Sequence, residues 1–87
     1  MQYATYILGF LAASLTSLSY LPQVKKAIPR GSTSDLSLKM LVTLSTGLCL
    51  WVLYGLLKED WVIMLANMVG ATLALIVLGL KVRDSYL

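Results

Sequence analysis

An indole and a carboxamide stand at matched positions on either side of a short charged break. Trp51 lies six residues before Leu57 and Asn67 six residues after Trp61, with Lys58-Glu59-Asp60 between them. If the flanks are helices joined by that turn, both side chains sit about 9 Å in from the helix ends at 1.5 Å per residue. The helical face carrying Trp51 also carries Thr43, Gly47 and Gly55, and Asn67 shares its face with Ala71 and Ala74. A bulky aromatic above small residues describes the wall of a cavity. Such a wall suits a sugar, whose C–H groups stack on an indole while its hydroxyls bond an amide that offers both donors and acceptors. Two plainer roles compete. Asn in a membrane helix often serves as interhelical glue, and Trp often belongs to an interfacial belt, for which Trp61 is the better candidate.

Two further groupings flank this pair. In Tyr20-Leu21-Pro22-Gln23, proline withholds the hydrogen bond expected by the Leu18 carbonyl and crowds that turn. The helix is therefore expected to bend at Pro22, as a static kink or as a hinge on which a gate swings, with the Gln23 amide able to satisfy freed backbone groups. Tyr54, Lys58 and Asp60 cluster at the opposite end. Tyr54 and Lys58 are i and i+4, and Asp60 is placed to accept from both, or from a symmetry mate, as a polar latch. The alternative there is snorkelling of Lys58 and helix capping by Asp60.

Other chemistry lacks raw material. The chain has no histidine and one cysteine, Cys49, and its four carboxylates (Asp35, Glu59, Asp60, Asp84) fall at or beyond the ends of the apolar runs. No metal cluster or buried acid/base pair can be assembled from these, so neither an enzyme nor a cofactor or metal site is expected. No carboxylate or basic group lies within a run, whereas proton-coupled carriers commonly hold ionisable relays there. Passive movement of a solute is the economical reading.

What must position these residues is membrane helix. Charges cut the 87 residues into three charge-free runs, Met1 to Val24, Met40 to Leu57 and Trp61 to Leu80. Each matches the roughly 20 apolar residues that cross a bilayer, the second once Leu38 and the Lys39 stem are counted. Apolar residues make up 59% of the chain and charged ones 13%, with mean hydropathy +0.82. A cleaved secretory signal is disfavoured, because the first basic residue, Lys25, follows the first run instead of preceding it. Backbone satisfaction in hydrocarbon leaves helices as the spanning form. The spacing predicts one all-α domain over residues 1–87, with helices at about 3–27 (kinked at Pro22), 36–57 and 61–81. Ser34 or Asp35 is expected to cap the second helix.

Three spans put the loop of residues 25–39 and the C-terminal tail on one side. That side holds Lys25, Lys26, Arg30, Lys39, Lys81 and Arg83, and the other side only Lys58. The positive-inside rule then places the N-terminus outside and the C-terminus in the cytoplasm of a multi-pass inner-membrane protein. The cations read as topological anchors, which argues against nucleic-acid binding. Three helices at 8–10 Å spacing fill their own centre with side chains, so a chain that moves a solute must assemble. Small-residue stripes, Gly9, Ala13 and Ser17 in the first helix and Ala66, Gly70 and Ala74 in the third, support close helix contact, within or between protomers.

The length, the three spans and the motifs Ser19-Tyr20-Leu21-Pro22-Gln23, Trp51-Val52-Leu53-Tyr54-Gly55 and Leu65-Ala66-Asn67 together resemble the SemiSWEETs, bacterial half-size relatives of SWEET sugar transporters in the PQ-loop superfamily. The resemblance covers essentially the whole chain. It implies a parallel homodimer about a two-fold axis along the membrane normal, giving a six-helix transporter with a central sugar pocket lined by Trp51 and Asn67 of both protomers. It also implies a hinge at Pro22 and Gln23, a cytoplasmic gate at Tyr20 and Met40, and an outer gate at Tyr54, Lys58 and Asp60. The family carries arginine where this chain has Lys58, and lysine lacks the planar bidentate fork. The expectation is a uniporter for a mono- or disaccharide of the glucose/sucrose class, working by alternating access. The competing readings are a PQ-loop carrier for another small solute such as an amino acid, a holin-like pore, and a structural or regulatory membrane subunit.

Overall fold

The computed structural model describes residues 2–87, which form three helices: α1 Gln2–Ala27, α2 Leu38–Leu57 and α3 Trp61–Tyr86. Each is long and apolar enough to cross a membrane, and the chain is an all-α, multi-pass membrane protein. Its apolar side chains point outward, as lipid requires: Leu8, Leu11, Leu15, Leu18 and Leu21 of α1 are all exposed.

The ends are set by capping. Ser37 is extended and its side chain accepts the Met40 N–H, so α2 begins at Leu38, two residues later than expected and with a different cap from Ser34 or Asp35. The intervening chain is spent in turns, where the Ser32 N–H donates to the Pro29 carbonyl and the Leu36 N–H to that of Thr33. α2 stops in a Schellman-type turn. The Asp60 N–H reaches the Gly55 carbonyl at 2.8 Å and the Glu59 N–H that of Leu56 at 3.1 Å, with Glu59 left-handed at φ 54° in the place glycine usually takes. Asp60 then caps α3, its Oδ1 accepting the Ile63 N–H at 3.1 Å. α3 continues past the expected Lys81 to Tyr86, because Arg83 and Asp84 are engaged by the α1–α2 loop, as set out below.

α3 packs against both α1 and α2, whose backbones do not approach each other closely. α1 lays one stripe at three- and four-residue spacing onto α3: from Tyr3 onward, Gly9, Ala13, Ser17, Tyr20, Val24 and Ala27 are the residues that are not exposed. The predicted small-residue stripe of the first helix is thus a contact within the protomer, with Gly9 against Val62. α2 answers with Leu41, Ser45, Leu48, Val52 and Gly55. The Cα framework is a slab of 49 × 23 × 13 Å with a radius of gyration of 14.6 Å, against about 12 Å for a compact domain of this length. A slab this thin cannot surround a path across the membrane by itself.

Candidate functional site

One broad side of the slab is a trough. α3 forms its floor with Gly70, Ala74 and Val77, and α1 and α2 form its walls. Tyr20 of α1 and Leu48 of α2 both rest on Gly70, which fixes the width of the trough there. The end bearing the α1–α2 loop is the loop end; the end bearing the α2–α3 turn is the turn end.

At the loop end the structure brings Tyr20, Gln23 and Met40 around one cavity of about 320 Å³, floored by Ala74 and Val77. The expected gate pair and one expected hinge residue therefore share a single space between α1 and α2. Pro22 lies inside α1, which runs through it without interruption. The Gln23 amide makes no hydrogen bond to the backbone around the proline, contrary to the expected role, and it faces the cavity instead.

The middle of the trough holds Trp51 and Asn67 at the same level. Gly55 lies against Met64, and Leu48 against Gly70; Trp51 and Asn67 fall midway between these two contacts on their helices. Trp51 continues the α2 face of Met40, Leu44 and Gly47 upward, at three- and four-residue steps, and it borders a shallow groove with Gly47 and Tyr54. Asn67 continues the α3 face of Gly70 and Ala74 and is half-buried. No hydrogen bond joins the two side chains. The indole, half exposed, lies nearly perpendicular to the Tyr54 ring at 5.3 Å between centroids, a favourable T-shaped pairing. The Asn67 Nδ2 donates to the Ile63 carbonyl of its own helix at 2.7 Å. It is not bonded to a neighbouring helix, and its Oδ1 accepts nothing among the described residues.

At the turn end Tyr54, Lys58 and Asp60 are neighbours in sequence but not a closed latch. Asp60 is occupied in capping α3, and no hydrogen bond joins it to Tyr54 or Lys58 within the protomer. Lys58 is the C-cap of α2. Among the described residues no three His, Cys, Asp or Glu side chains gather at one point. The level of Trp51 and Asn67 offers aromatic faces and neutral hydrogen-bonding groups, while the loop-end cavity adds Lys26 and Asp35.

A second polar assembly lies below the trough, and sequence reasoning missed it. Thr33 is fully buried; its hydroxyl donates to Asp84 Oδ2 at 2.7 Å and its N–H to the same oxygen at 3.3 Å. Its carbonyl accepts Lys81 Nζ at 2.9 Å. Arg83 donates Nε to Asp84 Oδ1 at 2.8 Å and Nη1 to the Ile28 carbonyl at 2.8 Å, while Nη2 reaches the carbonyls of Pro29 and Ala27. The guanidinium thus satisfies carbonyls that the C-terminus of α1 leaves orphaned. Lys81 and Arg83, expected only as topological anchors, clasp the loop to α3. Thr33→Val keeps the shape and removes a hydrogen bond to a charged group, so we expect it to lower stability by about 2 kcal/mol. Thermal unfolding in detergent checks this, with an unchanged midpoint as the contrary result.

Comparison with known proteins gives the family. The family described as "Sugar efflux transporter for intercellular exchange" matches residues 5–82. Proteins named sugar transporter SemiSWEET are similar to the chain: that of Leptospira biflexa is 37% identical over 78 residues, covering 90% of this chain and 92% of its own. That of Bradyrhizobium diazoefficiens is 39% identical over 77 residues, covering 88% and 90%. An uncharacterized protein of Methanocaldococcus jannaschii is 33% identical over 84 residues, covering 97% and 90%. The family match reaches into all three helices, and the chain belongs to the sugar efflux transporter family, a family of transporters and not of enzymes, among the half-size SemiSWEETs.

Proposed function

We propose that two copies of this chain, parallel about a two-fold axis along the membrane normal, form a uniporter for a neutral mono- or disaccharide of the glucose/sucrose class. What supports the reading is the trough between α1 and α2, with Trp51 of α2 and Asn67 of α3 at one level on the helix faces that continue its lining. Facing a second trough, it closes into a central pocket furnished by an indole and a carboxamide from each protomer. The Asn67 Oδ1, free within the protomer, accepts from a sugar hydroxyl, and the exposed indole face takes the C–H side. Tyr20 and Met40 close the path at the loop end. Tyr54 and Lys58 close it at the turn end, where Asp60, engaged in capping through Oδ1, has Oδ2 left for a partner protomer. The loop end is cytoplasmic and the N-terminus outside, as the six basic side chains of that end favour.

Proteoliposomes preloaded with unlabelled sugar test the reading. Saturable entry of labelled sugar without a proton gradient, with transient uphill counterflow, is the expected result. Flux that rises linearly with concentration and shows no counterflow indicates a pore and overturns it. The hinge is tested separately. Pro22→Ala restores the hydrogen bond to Leu18, and we expect exchange to slow by about tenfold while equilibrium binding changes little. Lost binding with unchanged turnover counts against the hinge.

A further inference from the structure

The loop-end cavity holds hydrogen-bonding groups that a gate at Tyr20 and Met40 does not use. Its volume, about 320 Å³, lies in the range of roughly 300–1,000 Å³ common to small-molecule sites. Gln23, Lys26, Ser32 and Asp35 all reach its wall, and none of these side chains bonds elsewhere among the described residues. The Ser32 Oγ is buried without a partner. A buried hydroxyl in that state is unfavourable unless something entering the cavity satisfies it.

We infer that this cavity is a second sugar site, complete within each protomer, in which Ser32, Gln23 and Asp35 take the hydroxyls of a sugar at the mouth of the path. A carboxylate accepts from two adjacent hydroxyls, the amide both donates and accepts, and the serine does either. Tyr20, Leu36 and Leu44 supply apolar wall for the C–H faces. Lys26 and Asp35 oppose each other in charge, so neither an anion nor a cation is favoured. A zwitterion such as an amino acid is the rival ligand, and the sugar is preferred because the most deeply sunk group, Ser32 Oγ, is neutral. The homodimer then carries one central site shared by two chains and two loop-end sites belonging to one chain each. Sugar arriving from that side is held before the central pocket receives it.

This rests on the sugar-transport reading above. Equilibrium dialysis of labelled glucose against the purified, detergent-solubilised protein separates the two. The wild type is expected to take about three sugars per dimer, and Trp51→Ala to keep about two thirds of that capacity. Adding Ser32→Ala and Asp35→Asn to Trp51→Ala is expected to weaken the remainder about tenfold or more. A wild-type capacity of one per dimer, lost entirely in Trp51→Ala, overturns this inference and leaves the transport reading standing. Residual binding indifferent to Ser32→Ala and Asp35→Asn also overturns it, as does displacement by an unlabelled amino acid but not by unlabelled sugar. A wild type that binds no sugar at all overturns both. The wild-type capacity needs no variant to fold.

Discussion

Trp51→Ala and Asn67→Ala should each bring sugar uptake in proteoliposomes close to the protein-free background. In a two-fold pocket every substitution is made twice. An aromatic anchor in a recognition site is commonly worth about 2 kcal/mol or more, so losing both indoles costs about 4 kcal/mol, on the order of a thousandfold in affinity. Asn67→Ala removes about 1 kcal/mol of hydrogen bonding per copy, and its effect is smaller, roughly tenfold to a hundredfold. The structure adds a graded test. Because the indole pairs with the Tyr54 ring, Tyr54→Phe should preserve transport through the pocket, and Tyr54→Ala should weaken it by loosening Trp51. Uptake that stays normal in both Trp51→Ala and Asn67→Ala refutes the pocket assignment.

Gly55→Val should abolish folded protein altogether. A Cβ built at Gly55 falls 2.7 Å from the Met64 backbone nitrogen and 3.0 Å from its Cα. Backbone cannot rotate aside as a side chain can. Nor can α2 slide, since the Gly55 carbonyl is itself bound by the Asp60 N–H in the turn. Overpacking in a closed core costs about 1–3 kcal/mol, and here Gly55→Ala already reaches the upper part of that range. The added methyls of valine must then prise α2 from α3. Gly79→Ala is the control. A Cβ there meets nothing within 4 Å, and gains about 1 kcal/mol of helix propensity. Detergent-solubilised yield and melting temperature should fall steeply for the first and hold or rise for the second.

The residues that were legible in advance are those whose placement follows from local rules. Three apolar runs between charges give three helices, and the tight Lys58-Glu59-Asp60 turn gives antiparallel neighbours. Counting from that turn puts Trp51 level with Asn67, and the contacts of Gly55 with Met64 and Leu48 with Gly70 put them at the same level. The stripe of Gly9, Ala13 and Ser17 is read from periodicity, and it is the face that α1 lays on α3. Contacts between distant parts of the chain were not legible. Nothing local tells that Thr33 will meet Asp84, or that Arg83 will reach the carbonyls at the end of α1, since charge counting sees only the sign of such residues. The order α1–α3–α2 was equally hidden, because sequence neighbours usually pack together and α1 skips its own. Ser34 and Asp35 failed as caps because two more turns of loop had to be fitted before α2, and Ser37 stands where they end.

α1 starts at the turn end of the slab and α3 finishes at the loop end, so three crossings leave the two extremities of the unit on opposite faces of the bilayer. Separate copies can stand side by side in the same sense without difficulty. Stitched head to tail into one polypeptide, they come out upside down relative to each other unless the connector itself traverses the bilayer. A covalent tandem with a water-soluble tether is therefore barred from the parallel arrangement, and one joined through an additional apolar helix is free to adopt it.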